Sequence, residues 1–385
     1  MSRKIRVGLI YGGKSGEHDV SLQTALAVIK ALDFNKYEIT PFYITKQGQW
    51  RSGAQLQAPV ETKAALTFDD QATATPISQA SSSYALAPFF SAKQAVSEVT
   101  VSATGGHNAL GGGIDVVFPL LHGTFGEDGT IQGLMEIADL PYVGAGVLAS
   151  AVGMDKVMMK KVFAQEGLPQ CVYRHFTRRQ WEKDPAYFLM ETEIAIGYPC
   201  FVKPANLGSS VGISKAKNRD ELVQAISFAF QYDRKVLIEE FIEAREVEVA
   251  VLGNEDPQAS VVGEIVSSNE FYDYKAKYLD GKSAMIIPAE IPQEVAQQLQ
   301  AQAIKAFQAI DGSGLSRVDF FLRKSDLQIY INEINTMPGF TPFSMYPQLW
   351  KETGKSYSEL LDELIKLALE RHDLKQSIQY TFDVE

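Results

Sequence analysis

A chain of 385 residues, 45% of them hydrophobic, holds enough apolar material for two or three domains with buried cores. Its net charge of −11, with no long lysine or arginine run, excludes nucleic acid and anionic lipid as expected main partners. The two cysteines, Cys171 and Cys200, lie among apolar neighbours and read as buried free thiols, as in a reducing compartment.

Met1-Ser2-Arg3-Lys4 leads straight into Ile5–Tyr11, an apolar run too short for a signal segment and read as a first buried strand. No stretch approaches the roughly 20 apolar residues of a membrane span, so a soluble, cytoplasmic protein is expected. Apolar positions Leu22, Ala25, Leu26, Ile29 and Leu32 predict a helix over Ser21–Leu32, and Tyr37–Ile44 a strand after it. That βαβ opening predicts a parallel sheet. From about 52 to 113 the texture turns polar and low in complexity, which predicts an elaborated surface segment with some strand content.

Ile114–Gly123 then reads as a buried strand ending in a histidine-glycine turn, with a helix near Gly129–Ala138 and another from about Asp155 to Gln165. The strand Cys200–Lys203, a glycine-serine loop and the helix Arg219–Phe230 follow. Val236–Ile242 and Glu246–Leu252 alternate in polarity and are expected to pair as antiparallel neighbours across a short turn. A helix over 293–309, strands Ser316–Leu322 and Gln328–Asn335, and an amphipathic helix over about 356–370 complete the chain.

One motif matches in spelling only. Gly8-Leu9-Ile10-Tyr11-Gly12-Gly13-Lys14-Ser15 fits the Walker A pattern, but a P-loop begins after its strand and its lysine opens a helix. Here Leu9, Ile10 and Tyr11 belong to the strand, and polar residues precede the helix. The stretch reads instead as a glycine turn at the carboxyl edge of a sheet, where α/β folds bind ligands. Glu17, placed there, suits a substrate ammonium. Asp19 and Ser21 are equally readable as helix caps.

Two distant stretches carry stronger chemistry. Lys203-Pro204-Ala205-Asn206-Leu207-Gly208-Ser209-Ser210-Val211-Gly212 joins a lysine to a small-residue loop, offering phosphate oxygens a cation and several backbone N–H groups. Asn332-Glu333-Ile334-Asn335 places Glu333 and Asn335 two apart on a strand, so both face one side as hard oxygen ligands suited to Mg²⁺. Arg317 and Asp319 share a strand face in the same way. A phosphate cradle with a metal clamp points to ATP chemistry.

At this point the chain resembles a D-alanine–D-alanine ligase of the ATP-grasp superfamily, over nearly its whole length apart from 52–113. The resemblance rests on Gly12–His18, Leu121-His122-Gly123 with Gly126-Glu127-Asp128-Gly129, Val202–Gly212, Phe271–Tyr278, Arg317-Val318-Asp319 and Asn332–Gly339, in the family's order. It implies an α/β and α+β fold with three-domain ATP-grasp architecture. An N-terminal parallel-sheet domain (1–144) would bind substrate, and nucleotide would lie between a central (145–239) and a C-terminal (240–385) subdomain.

The resemblance also implies residue roles. Lys203 and Lys156 meet phosphates, Glu239 the adenine amino group and Glu246 the ribose hydroxyls, while Ser209, Ser210, Glu240, Ile242, Lys277, Asn332 and Glu333 complete the nucleotide set. Asp319, Glu333 and Asn335 hold two Mg²⁺ or Mn²⁺ ions. Glu17 and His122 hold the first D-alanine. Ser344 and the Met345 N–H receive the carboxylate of the second, and Arg317 with the Gly339 N–H faces the oxyanion. Ser267–Asp280 is the expected lid, in which Lys277 and Tyr278 close on the site and Tyr278 joins Glu17 and Ser209 in a latch. Relatives that join D-lactate are expected to show histidine at the position of Tyr278, so an amine acceptor is favoured. Methionine at 337 and proline at 342 depart from several relatives and bear on pocket shape alone. The family implies a homodimer. The rivals are a D-alanine–D-lactate ligase, another ATP-grasp carboxylate–amine ligase, and a nucleotide-binding protein without turnover.

Overall fold

The computed structural model describes residues 3–68, 113–208, 210–266 and 284–379. Among them three sheets carry the fold.

The first contains β1 (Ile5–Gly12), β2 (Tyr37–Ile44), β3 (Trp50–Ser52) and β4 (Val116–Pro119), with α1 (His18–Ala31) and α2 (Thr130–Ile137). Strand order is β3-β2-β1-β4, parallel except for β3. As the continuous apolar run of β1 predicts, its interior residues are buried on both faces. Ile10 and Phe42 pack towards Ile131 and Met135 of α2, whereas Val7 and Leu9 pack with Ala25 and Val28 of α1. Of the 52–113 segment, β3, a bridge from Leu56 to Ile39 and a short turn at Lys63–Leu66 are described. Leu66 is buried, and its carbonyl accepts from the Tyr11 hydroxyl at 3.0 Å.

Two helices, α3 (Val147–Met154) and α4 (Lys156–Gln165), lead to the second sheet. Asp155 caps α4 by accepting from the Val157 and Met158 N–H groups, which fixes where the helix begins. The second unit is β5 (Tyr173–Thr177), α5 (Arg178–Lys183), α6 (Pro185–Ala195), β6 (Cys200–Pro204), β7 (Ser214–Ala216), α7 (Arg219–Ala229) and β8 (Lys235–Glu240). Its strands run antiparallel in the order β5-β8-β6-β7.

The third comprises β9 (Ala244–Gly253), β10 (Gln258–Val266), β11 (Ala284–Ile286), α8 (Gln293–Ala309), β12 (Gly314–Arg323), β13 (Ile329–Asn335), α9 (Met345–Glu352) and α10 (Tyr357–Gln376). Its order is β11-β10-β9-β12-β13, all antiparallel. Val249, Val318 and Ile331 pack with Phe307 of α8 and with Met159 and Phe163 of α4. The last helix returns to the start of the chain: Leu360, Leu361 and Leu364 of α10 share a core with Val7 and Leu9.

Two expectations are corrected. The strands ending near Ile242 and beginning near Glu246 are not paired, because β8 is flanked by β5 and β6, and β9 by β10 and β12. The link between them crosses from one sheet to another, and polarity alternation cannot name a strand's partner. Helix α1 also starts three residues earlier than predicted, with Glu17 at its N-cap position and no side-chain cap. Neither Asp19 nor Ser21 caps it. Asp19 is exposed and pairs with Lys46 at 3.0 Å, and Ser21 Oγ accepts from the Gly12 N–H at 2.7 Å.

Among the described residues no helix is long and apolar enough to cross a membrane. Both cysteines are buried free thiols, and burial pushes Cys171 up to about 12 and Cys200 to about 11.

Candidate active site

The glycine turn after β1 is not a phosphate loop. Gly12 still belongs to β1, in a left-handed conformation where a β-carbon would lie 2.1 Å from the Ile44 carbonyl oxygen. Lys14 is exposed and the helix opens only at His18.

Lys203 sits near the end of β6, its ammonium 2.6 Å from Glu239 Oε2 and 3.5 Å from Asn332 Oδ1. Burial works against its charge, and Glu239 outweighs burial and raises its pKa. Lys156 opens α4. Its ammonium donates to the Leu207 carbonyl at 2.8 Å and lies 3.5 Å from Glu333 Oε2, tying the glycine-serine loop to β13. Both lysines line a cleft with about 670 Å³ of open space, whose walls include Gly208, Ser210, Glu246 and Glu333. Glu240 and Ile242 lie where β8 leaves its sheet, and the Glu240 carboxylate accepts from the Val172 N–H at 2.7 Å.

A row of carboxylates crosses the third sheet. The register sets Asp319 of β12 opposite Glu333 of β13 on one side and Glu248 of β9 on the other. Arg317 lies between them, donating to Asp319 through Nε (2.7 Å) and Nη2 (2.6 Å), with Nε 2.8 Å from Glu248 Oε2. Burial disfavours this guanidinium, but Asp319 and Glu248 raise its pKa well above the usual value. Asn335 Nδ2 donates to Asp319 Oδ2 at 3.0 Å.

The donor chemistry of Asp319, Glu333 and Asn335 fits a magnesium-like ion: two carboxylates and an amide, all able to offer hard oxygens, with Asp319 and Glu333 in the wall of the cleft. Among the described residues no group of three or more histidine, cysteine and acidic side chains is arranged to hold a metal by itself.

A second, smaller hollow, with about 310 Å³ of space open to solvent, adjoins the first. It shares Lys156, Gly208 and Glu333 with the larger cleft and adds Glu127 and Asn335. Glu17 is buried at the base of the β1–α1 turn. A β-carbon on Gly123 would lie 2.6 Å from its Oε2, and one on Gly208 3.8 Å. Its carboxylate therefore lies between the histidine-glycine turn and the glycine-serine loop. Ser15 Oγ clamps this corner by donating to the His122 carbonyl (2.7 Å) and accepting from the Glu17 N–H (3.0 Å). The buried His122 ring has Thr24 Oγ1 at 3.1 Å from Nε2 and Glu127 Oε1 at 3.6 Å from Nδ1. Desolvation lowers its pKa, but Glu127 and Glu17 outweigh this and leave it raised.

Beyond β13 the chain turns back through Gly339 to α9. A β-carbon on Gly339 would lie 3.2 Å from Ser344 Oγ, and Ser344 Oγ accepts from the Thr341 N–H at 3.1 Å. Met345 is the buried first residue of α9. Ser209, Lys277, Tyr278 and the expected lid lie outside the described residues.

Three side chains at the site escaped the reading of the sequence. Lys160 lies one helical turn beyond Lys156, fully buried, with its ammonium 2.5 Å from Glu239 Oε1. Its spacing of four from Lys156 was the available signal. Glu127 stands beside His122, within the Gly126–Gly129 motif. Glu248 lies two residues after Glu246 on the same strand face.

Two family models match the chain, "D-ala D-ala ligase N-terminus" over residues 6–145 and "D-ala D-ala ligase C-terminus" over residues 162–366. The D-alanine–D-alanine ligase of Bacillus cytotoxicus is 58% identical over 98% of this chain and 99% of that protein. The ligase of Geobacillus kaustophilus is 54% identical over 99% of both. The solved D-alanine–D-alanine ligase from Coxiella burnetii is 33% identical with a TM-score of 0.74, covering 97% of both chains. The VanG D-Ala:D-Ser ligase from Enterococcus faecalis is 34% identical with the same TM-score of 0.74, covering 95% of this chain and 100% of that one. With both family models in order along one chain, and whole-length relatives at more than half identity, this chain belongs to the D-alanine–D-alanine ligase family.

Proposed function

We propose that this enzyme joins two D-alanine molecules into D-alanyl-D-alanine, converting ATP to ADP and phosphate, for the peptidoglycan precursor of the cell wall. The observation that carries the reading is the shared wall of two adjoining hollows, Lys156, Gly208 and Glu333. A triphosphate in the larger one would end beside a carboxylate substrate in the smaller.

The chemistry follows from what an amide bond requires. A carboxylate is a poor acyl donor because its leaving group would be an oxide. A carboxylate oxygen of the first D-alanine attacks the γ-phosphorus and ADP departs, leaving an acyl phosphate. The unprotonated amine of the second D-alanine then adds to the carbonyl, and the tetrahedral oxyanion collapses by expelling phosphate. Lys203 and Lys156 would bind phosphate oxygens, with Glu246, Glu240, Ile242, Ser209, Ser210, Lys277 and Asn332 around the nucleotide, and Glu239 would meet it only through its backbone, its carboxylate being turned to Lys160 and Lys203. Glu17 and His122 would hold the first D-alanine, and Ser344 with the Met345 N–H the second. Arg317 and the Gly339 N–H would face the oxyanion, a kind of donor whose loss typically costs about 2.7–4 kcal/mol of barrier.

Asp319, Glu333 and Asn335 would hold Mg²⁺ or Mn²⁺, two ions per site, which when bound neutralise phosphate charge. The lid Ser267–Asp280 would exclude water from the acyl phosphate, latched through Tyr278, Ser209 and Glu17. Tyr278 in place of histidine favours an amine acceptor. Residues 1–144, 145–239 and 240–385 would act as the substrate domain and the two halves of the nucleotide grip. A cytoplasmic homodimer completes the reading.

Phosphate release is the test, with D-alanine as sole amino acid and then with D-lactate or D-serine added. The proposal expects turnover with D-alanine alone and dipeptide as the main product. A rate that depends on D-lactate or D-serine would replace it.

A further inference from the structure

Lys160 is a buried charge that the proposed chemistry leaves without a task. It projects from α4 into the space beneath β8, its side chain 1% exposed, and meets Glu239 Oε1 at 2.5 Å. Lys203 meets the other oxygen of the same carboxylate at 2.6 Å, and its side chain is 9% exposed. The two differ in reach: Lys203 lines the larger cleft, and Lys160 does not. The carboxylate between them is 2% exposed and so shielded from bulk solvent.

Resting on the reading of Lys203 as a phosphate ligand, we propose that Lys160 is a positioning residue that keeps Glu239 paired when Lys203 turns to the nucleotide. Two ammonium groups around one carboxylate leave one positive charge over. With Lys160 fixed on Oε1, Lys203 is free to give its charge to a phosphate without stranding a buried anion. Without Lys160, Glu239 competes with ATP for Lys203, because a bare carboxylate in this place is costly. The surroundings support a fixed anchor. Tyr173, which pairs with Glu239 across β5 and β8, places its ring 5.5 Å from the Lys160 ammonium. Desolvation pushes the Glu239 pKa upward, and Lys160 with Lys203 overrides it and holds the carboxylate ionised.

Lys160→Met, Lys203→Ala and the double variant Lys160→Met/Glu239→Gln test this in the full-length enzyme. KM for ATP and KM for D-alanine are measured separately. Lys160→Met is expected to raise KM for ATP on the order of tenfold, with KM for D-alanine little changed. Glutamine at 239 removes the competing anion while keeping an acceptor oxygen, so the double variant is expected to recover most of the ATP affinity. A merely structural lysine would lower the yield of folded enzyme without raising KM for ATP selectively over KM for D-alanine. An unchanged KM for ATP in Lys160→Met, or a double variant no better than the single, overturns the proposal. If Lys160→Met does not accumulate folded, the double variant is compared with the unaltered enzyme, and weak ATP binding in it is the contrary result. Should Lys203→Ala bind ATP normally, the nucleotide reading falls and takes this proposal with it. If Lys203→Ala loses ATP while Lys160→Met keeps it, this proposal alone falls.

Discussion

Asn332 and Glu333 are neighbours in sequence, yet both line one cleft, because the register of β12 and β13 slips between Asp319 and Phe320. In an unbroken strand they would point to opposite faces. Asp319 pairs with Glu333 but Phe320 with Ile331, so Asn332 is the extra residue of a bulge. The slip lets Ile331 and Ile334 both stay buried while Asn332, Glu333 and Asn335 remain partly exposed. A neutral contact for Lys203 and an acid opposite Asp319 thus come side by side.

The two should respond differently to substitution. Asn332→Ala is expected to weaken ATP binding by about 0.5–1.5 kcal/mol, the usual worth of one hydrogen bond. Glu333→Gln is expected to raise the Mg²⁺ concentration for half-maximal rate by about tenfold or more, because a carboxylate charge is lost at the metal. Titrating Mg²⁺ at fixed, saturating ATP separates the effects. An identical metal requirement in both variants would contradict the assignment.

The lysines of the two loops give a second contrast. Lys203→Ala removes a buried cation from the cleft and is expected to cost about 2–5 kcal/mol of ATP binding. Lys14→Ala changes an exposed side chain and is expected to stay within about 0.5 kcal/mol of the parent. Calorimetric titration with ATP reads both directly. Equal losses would revive the P-loop interpretation.

These contrasts mark how far the sequence carried. Lys203 was legible because it stands between a buried strand and a glycine-serine loop, and Glu333 with Asn335 because strand periodicity aligns them. The bulge left only a hint, the three-residue step from Ile331 to Ile334 that breaks the alternation, and that step does not name the strand lying opposite. Lys160 was missed for a related reason: a second lysine four residues along a helix reads as a solvated charge unless its partner, Glu239 on a distant strand, is known. The docking of α10 on the first sheet was also hidden, because periodicity shows that a helix has an apolar face but not what covers it. Most residue roles came from the family resemblance and not from spacing.

His122 links the site to pH. Desolvation opposes its charge, but Glu127 and Glu17 hold its pKa above the ordinary 6.5. A group raised on folding adds stability that is fully present below its unfolded value and is lost as pH rises through the folded value. The stability gap between the parent and His122→Gln is therefore expected to narrow as pH climbs from about 6 towards 9. Urea unfolding of both at several pH values checks it, and a gap that widens over that range would contradict the pairing.

The central claim is that ATP makes a carboxylate acylating in this cleft. The most direct measurement labels the D-alanine carboxylate with heavy oxygen and weighs the phosphate released. One labelled oxygen per phosphate is expected, since the acyl phosphate breaks between carbon and the oxygen that came from the substrate. Unlabelled phosphate, with dipeptide still forming, would contradict the account.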